Sequence, residues 1–183
     1  TSVSGRARFV IGRSPDADLC VPGARLSRHH VELRLDASDP AGPRLMALDL
    51  GSRVGTFWDG DPLEPGEATP LLERGELGLG LSATVDVVPL HGHGGEPFGA
   101  LLRAGAREAW HLFTPQGGPL VLAPGLRVPA RILFDRGWVV LDLASRIEAE
   151  LGRQALAPGA AVELLVGDRL RLLGAPLTIE VLS

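Results

Sequence analysis

Arg25-Leu26-Ser27-Arg28-His29-His30-Val31-Glu32-Leu33 reads as a polar turn running into a strand. Val31, Leu33 and Leu35 alternate with Glu32 and Arg34, the two-residue period of a strand with one buried face. Ahead of them, Ser27 and Arg28 set a hydroxyl beside a guanidinium, a pair that suits an anion better than a core. Upstream, Arg6 to Ile11 is a strand that Gly12-Arg13-Ser14-Pro15 terminates. Downstream, Arg44 to Leu50 is a strand and Gly51-Ser52-Arg53-Val54-Gly55 a tight turn. Thr56-Phe57-Trp58 is strand again, before the hairpin signal Asp59-Gly60. Leu19-Cys20-Val21, Leu71-Leu72, Leu77 to Leu81 and Thr84 to Val88 complete a set of short strands. No segment before Pro89 carries helical periodicity, so this half is expected to be an all-β sandwich or barrel.

Pro89 to Pro97 (PLHGHGGEP) breaks the pattern, and residues 91–97 read as a linker between units at 1–90 and 98–183. His91 and His93 lie in it, but two histidines with no third ligand in view are read as solvated, not as a metal site. Beyond it the first half recurs. Asp49-Leu50-Gly51-Ser52-Arg53-Val54 returns as Asp142-Leu143-Ala144-Ser145-Arg146-Ile147, at an offset of 93 (142 − 49). PGARLS, from Pro22, resembles PGLRVP, from Pro124, at an offset of 102 (124 − 22). Repeats at domain-length spacing indicate duplication of one β-fold. Ser145 to Leu151 has capping-box spacing for a helix, yet its counterpart Val54 to Trp58 is hardly helical, which favours strand.

Composition narrows the function classes. With 45% hydrophobic and 22% charged residues the chain is globular, and 24 Gly with 15 Pro suit a fold of many tight turns. The net charge is −4, with 9 Arg against 13 acidic residues in 1–90 and 9 against 9 in 91–183, which does not favour nucleic acid. All 18 basic residues are Arg, so arginine identity alone says little about phosphate binding and placement decides. Cys20 is the sole cysteine, which excludes an internal disulfide and a cysteine-built zinc site. No apolar run approaches the roughly 18 residues of a membrane span. The chain starts at Thr1 with no signal peptide, and a piece of a larger cytoplasmic protein is the expectation.

Gly12-Arg13, Ser27-Arg28-x-His30 and Asp49-Leu50-Gly51-Ser52-Arg53-x-Gly55-Thr56 resemble, in order and spacing over about residues 5–90, the motifs of the forkhead-associated (FHA) domain. The resemblance implies an eleven-stranded β-sandwich whose loops at one end bind phosphothreonine peptides. The whole chain is then expected to be a tandem of FHA-type (SMAD/FHA-like) β-sandwiches with little or no helix. Carried over by motif, Arg13 and Ser27 are phosphate ligands, Arg28 lies at the rim, and Arg53 and Ser52 complete the phosphopeptide-binding set. Gly12, His30, Gly55 and Thr56 are scaffold: His30 hydrogen-bonds to hold the loops, and Gly55 permits the turn. Val54 stands where the family usually has an Asn that holds the peptide backbone. Losing that amide is expected to weaken binding by about 1–2 kcal/mol.

The chemistry agrees with the motif. A phosphothreonine carries about −1.5 to −2 charges and three acceptor oxygens. Arginine meets two of them with a planar fork, and a serine hydroxyl adds a neutral donor. In the second half, Pro129 and Ala130 stand at the counterparts of Ser27 and Arg28 (offset 102), Ile132 at that of His30, and Glu148 at that of Gly55 (offset 93). That half is expected to bind no phosphate and to be structural or partner-binding. A hydrolase triad of Ser27, a histidine and Asp49 lacks a nucleophile elbow, so no enzyme and no cofactor are expected. The expected function is a phosphothreonine-dependent protein-protein interaction module in Ser/Thr kinase signalling. Its partner would be a phosphothreonine protein or peptide, such as a kinase or its substrate, with neither nucleic acid nor a membrane span involved. The alternative is a phosphorylation-independent scaffold or oligomerisation module of a larger regulator or secretion assembly.

Overall fold

A computed structural model describes residues 2–4, 7–38, 40, 42–92, 94–105, 110–135, 138–143, 148–165, 168–172 and 177–181. Among them there is no helix, and the fold is all-β. The first half carries β1 (Ser2–Ser4), β2 (Arg8–Gly12), β3 (Leu19–Cys20), β4 (Val31–Asp36), β5 (Arg44–Asp49), β6 (Thr56–Trp58), β7 (Asp61–Pro62), β8 (Ala68–Pro70), β9 (Gly75–Leu79) and β10 (Ala83–His91). The second carries β11 (Pro97–Ala104), β12 (His111–Phe113), β13 (Gly118–Ala123), β14 (Leu126–Asp135), β15 (Trp138–Leu143), β16 (Ala149–Leu151), β17 (Gln154–Leu156), β18 (Ala161–Leu164), β19 (Arg169–Leu172) and β20 (Leu177–Val181).

Three sheets result. The first is β3-β2-β4-β5-β8, the second β13-β14-β15-β18, and a long sheet runs β17-β16-β19-β20-β1-β12-β11-β10-β9-β6-β7. Alternation builds the first core: Phe9 and Ile11, Val31 and Leu33, Leu45 and Ala47 face Leu77, Leu79, Val85 and Val87. Ala100, Leu102 and Phe113 join the same core from beyond the expected linker, and the Phe9 and Phe113 rings sit 5.5 Å apart. Their strand neighbours Leu101 and Leu112 point the other way, into a second core with Leu120, Ile132, Leu143, Ala149, Leu164 and Leu170. β11 and β12 are therefore buried on both faces, which is why Gly99 to Leu102 reads as an unbroken apolar run.

This arrangement corrects the expected linker at 91–97. Pro89, Leu90 and His91 continue β10 and pair with Ala100, Gly99 and Pro97 of β11. The glycines between them close a hairpin, in which the Gly92 amide donates to the Glu96 carbonyl at 2.8 Å. Glycine and proline mark a turn, and here the turn lies inside one sheet instead of between two bodies. His93 lies outside the described residues.

Strand pairing runs in parallel in the two halves. Thr56 pairs with Leu79 and Ala149 with Leu172, both shifted by 93 (149 − 56, 172 − 79). The β5–β8, β6–β7, β6–β9 and β9–β10 pairs reappear as β15–β18, β16–β17, β16–β19 and β19–β20. Ala149 to Leu151 is strand, while Ser145 to Ile147 lie outside the described residues. The two halves part company between their first strands. Residues 13–30 separate β2 from β4, whereas Pro124-Gly125 alone joins β13 to β14. Pro129 and Ala130 lie within β14, and Ala130 is buried. The sequence expectation that they occupy the place of Ser27 and Arg28 is thereby corrected: the loop is missing, not substituted.

Candidate anion-binding site

Gly12 ends β2 against the turn ahead of β4. A Cβ there would lie 2.0 Å from the Arg28 carbonyl oxygen, so only glycine permits the approach. The two loops are stitched by backbone bonds: the Arg13 amide donates to Ser27 O and the Ser14 amide to Arg28 O, both at 3.1 Å. The His30 amide donates to Ile11 O at 2.9 Å, and the Leu50 amide to His30 O at 3.0 Å.

His30 is fully buried and spans two loops. Its Nδ1 accepts from the Ser27 amide at 3.4 Å, and its Nε2 donates to Gly55 O at 3.1 Å. The two contacts fix one neutral tautomer. Burial pushes its pKa down, against the opposing pull of the Gly55 carbonyl and Asp49. Gly55 itself sits at φ 78°, in the left-handed region that favours glycine, and its carbonyl also accepts from the Gly80 amide at 2.9 Å.

Asp49 holds the 50–55 turn. Its Oδ1 accepts the Ser52 amide at 2.7 Å, and its Oδ2 accepts the Ser52 hydroxyl at 2.7 Å and the Thr56 hydroxyl at 2.5 Å. Burial raises the pKa of this carboxyl, but the donors from Thr56, Ser52 and the Gly51 amide outweigh burial and hold it below the usual carboxylate range. The Ser52 hydroxyl, expected among the phosphopeptide ligands, is bonded to Asp49 here, and Ser52 does not line the depression described below. No Asp–His–Ser relay exists here, because Asp49 bonds Ser52 and Thr56 while His30 bonds Gly55.

These loops surround an open depression of about 750 Å³ lined by Arg13, Ser27, Arg28, His29, Leu50 and Arg53. One carbonyl, Leu26 O, receives both Arg13 Nε at 2.8 Å and Arg53 Nη2 at 3.4 Å, which brings two guanidiniums side by side. Among the described residues neither has a carboxylate partner. The Ser27 hydroxyl oxygen accepts the Arg53 amide at 3.2 Å, leaving its own O–H to donate outward. Arg28 is exposed at the lip. At the edge, Asp16 pairs with His29 Nε2 at 3.2 Å and takes the Ser14 hydroxyl on its other oxygen. The Ser14 hydroxyl, the backbone amide of Asp16 and His29 together lower the Asp16 pKa. Clustered guanidiniums with donors beside them and no carboxylate bonded to Arg13 or Arg53 among the described residues are suited to bind an anion.

Val54 does not line this depression. It is half-buried against the first core, and its Cγ2 lies 2.6 Å from where a Cβ at Gly80 would stand. Sequence reasoning missed Leu50 and His29 as lining residues and Asp49 as the anchor of the turn. The anchor had a signal, since Asp49-x-x-Ser52 is the pattern of a side chain capping its own turn.

Residues 9–80 match the family model of the FHA domain. The chain carries an FHA domain. FHA domains are interaction modules, not enzymes, and the match spans both loops of the depression. Among solved structures, a chain from a study of phosphothreonine-dependent FHA domain interactions is 28% identical (43% of this chain, 74% of that one, TM-score 0.36). The yeast Dun1 FHA domain, in complex with a doubly phosphorylated peptide derived from Rad53, is 26% identical (44% and 58%, TM-score 0.37). Mycobacterium tuberculosis Rv1747 FHA-1 is 23% identical (56% and 84%, TM-score 0.35). Comparison with curated proteins gives no significant match. The FHA assignment therefore rests on the sequence match and covers β2 through β9. No helix among the described residues is long and apolar enough to cross a membrane.

Proposed function

We propose that the FHA domain captures phosphothreonine-bearing segments of other proteins and so serves as a phosphorylation-dependent interaction module in Ser/Thr kinase signalling. The observation that carries this reading is the pair of guanidiniums, Arg13 and Arg53, held on one carbonyl beside the outward hydroxyl of Ser27, with no carboxylate paired to either among the described residues. A phosphoryl group supplies the missing charge and acceptors. Ser27 and the two arginines are its ligands, Arg28 reaches it or the peptide from the lip, and Gly12, His30, Asp49, Ser52, Gly55 and Thr56 hold the loops. Strands β13 to β20 are a degenerate copy without the phosphate loop, and their role is structural or partner-binding. The partner is a phosphothreonine protein, a kinase or its substrate.

Val54 supports a second reading, a phosphorylation-independent scaffold of a larger regulator or secretion assembly. It turns an apolar side chain into the core where a polar one would face a peptide backbone. Calorimetry with a phosphothreonine peptide and its unphosphorylated twin separates the two. Preference for the phosphopeptide, abolished by Arg13→Ala, supports capture; equal affinity for both peptides sinks it.

A further inference from the structure

Two adjacent histidines in the 27–30 turn have opposite surroundings. Both ring nitrogens of His30 are consumed inside the protein, by the Ser27 amide and the Gly55 carbonyl. His29 is half exposed and lines the depression with the arginines. Of the lining residues it alone can change charge in the near-neutral range, since guanidiniums stay cationic. Its Nε2 meets Asp16 Oδ2 at 3.2 Å across the edge of the site, and Asp16 is itself held by the Ser14 hydroxyl. Ser14 is in turn tied by its amide to Arg28 O at 3.1 Å, so the acid is fixed to the turn that carries the histidine. The charged groups around His29 are Asp16 from the β2–β3 loop, Arg13 from the same loop, its neighbour Arg28, and Arg53 from the β5–β6 turn. His30 is turned away from it.

We propose that His29 is a fourth cationic group of this pocket, acting as imidazolium, and that Asp16 is the positioning residue that keeps a cation there beside three guanidiniums. The proposal rests on the phosphopeptide reading above and adds pH dependence to it. An imidazolium has two N–H donors; Asp16 takes the one on Nε2 and the one on Nδ1 is left for a phosphate oxygen. Asp16 thereby gives the imidazolium a carboxylate partner at the edge of the arginine cluster.

The test titrates the full chain and His29→Asn with one phosphothreonine peptide at about pH 6 and about pH 8. The second ionisation of the phosphate is common to both proteins, so the ratio of their dissociation constants isolates the imidazole. The ratio is expected to be near one at the higher pH and about three- to fivefold in favour of the native chain at the lower, the size of a partly exposed charge pair. Asp16→Asn is expected to move the rise of that ratio to lower pH, which a merely structural role would not do. In NMR titrations the His29 imidazole is expected to protonate at higher pH once the phosphopeptide is bound, by reciprocity of the two binding events. A pH-independent ratio, with phosphopeptide preference intact, overturns the proposal alone. Loss of any preference over the unphosphorylated twin overturns the parent reading and the proposal with it.

Discussion

Replacing Asp49 by Asn tests whether the 50–55 turn beside the depression is hung on a buried carboxylate. Asp49 is 1% exposed and receives donors from the Ser52 amide, the Ser52 hydroxyl, the Thr56 hydroxyl and the Gly51 amide. Hydrogen bonds to a charged group contribute about 1.5–3 kcal/mol each. Asparagine keeps one oxygen acceptor and the volume, while the two hydroxyls can rotate to accept from its amide. The net loss is expected to be about 2 kcal/mol, against about 4 kcal/mol for Asp49→Ala, which leaves the buried Thr56 hydroxyl without an acceptor. The pH dependence carries the sharper signature. The folded pKa of Asp49 lies below its ordinary value of 3.8. Its stabilisation is therefore complete above that value and declines as pH falls below it, because the unfolded chain takes up the proton first. Chemical denaturation of the native chain and Asp49→Asn is expected to give stabilities separated by about 2 kcal/mol at neutral pH, a gap that narrows as pH falls below 3.8. A separation that persists unchanged into acid would mean that the carboxylate charge holds nothing, and the reasoning fails.

Arg13→Ala and Arg53→Ala are each expected to weaken phosphopeptide binding by about 10- to 100-fold, the loss of a charge-assisted bond, without lowering thermal stability; calorimetry and circular-dichroism melting check both. Gly12→Ala is expected to cost about 2–3 kcal/mol in denaturation and most of the binding, since its Cβ would meet the Arg28 carbonyl at 2.0 Å. His30, whose folded pKa is lowered mainly by burial, stabilises the fold fully above its ordinary 6.5 and less as pH falls below that. His30→Gln is expected to flatten that limb of the stability curve while reducing stability at neutral pH. A chain ending at residue 91 loses Ala100, Leu102 and Phe113 from the first core and is expected to show no cooperative unfolding transition; a cooperative transition would show that β11 and β12 are dispensable.

Legibility of the sequence followed the physics of each segment. Strands with one wet face announced themselves, as in Arg44 to Asp49, where exposed and buried residues alternate along β5. The loops around the depression were legible because Gly-Arg, Ser-Arg-x-His and the Gly51–Gly55 turn are chemical choices that packing alone does not require. Strands β11 and β12 were not, because an apolar run buried on both faces has no period to read. For the same reason the Pro-Gly segment before them passed for a spacer: turn residues specify a change of direction but not what lies on either side. The Ser52 bond to Asp49 is not legible, because a hydroxyl next to an arginine looks the same in sequence whether it faces a ligand or caps its own turn. His29 and His30 likewise differ only in burial, which no local pattern of identical residues encodes.

The two halves make the relation between fold and site explicit. From β5 to β10 and from β15 to β20 the strands pair in the same order, so the sandwich skeleton does not depend on the binding chemistry. Between β2 and β4 the first half inserts residues 13–30; between β13 and β14 the second closes with Pro124-Gly125. The insertion places Leu19, Val21 and Leu26 in the first core, while its length makes loop closure slightly more costly. Its retention needs fixing contacts, and it has them: Gly12 admits the turn, His30 ties it to Gly55, and Asp49 freezes the facing loop through Ser52 and Thr56. Each of these groups is buried or backbone-directed, and each leaves a cationic or hydroxyl side chain facing outward beside it. Rigid support under an uncompensated positive surface is costly for a domain that only packs, and it is what anion capture requires. In the second half the sheet, relieved of that loop, is free to close tightly, and it does so with a two-residue turn.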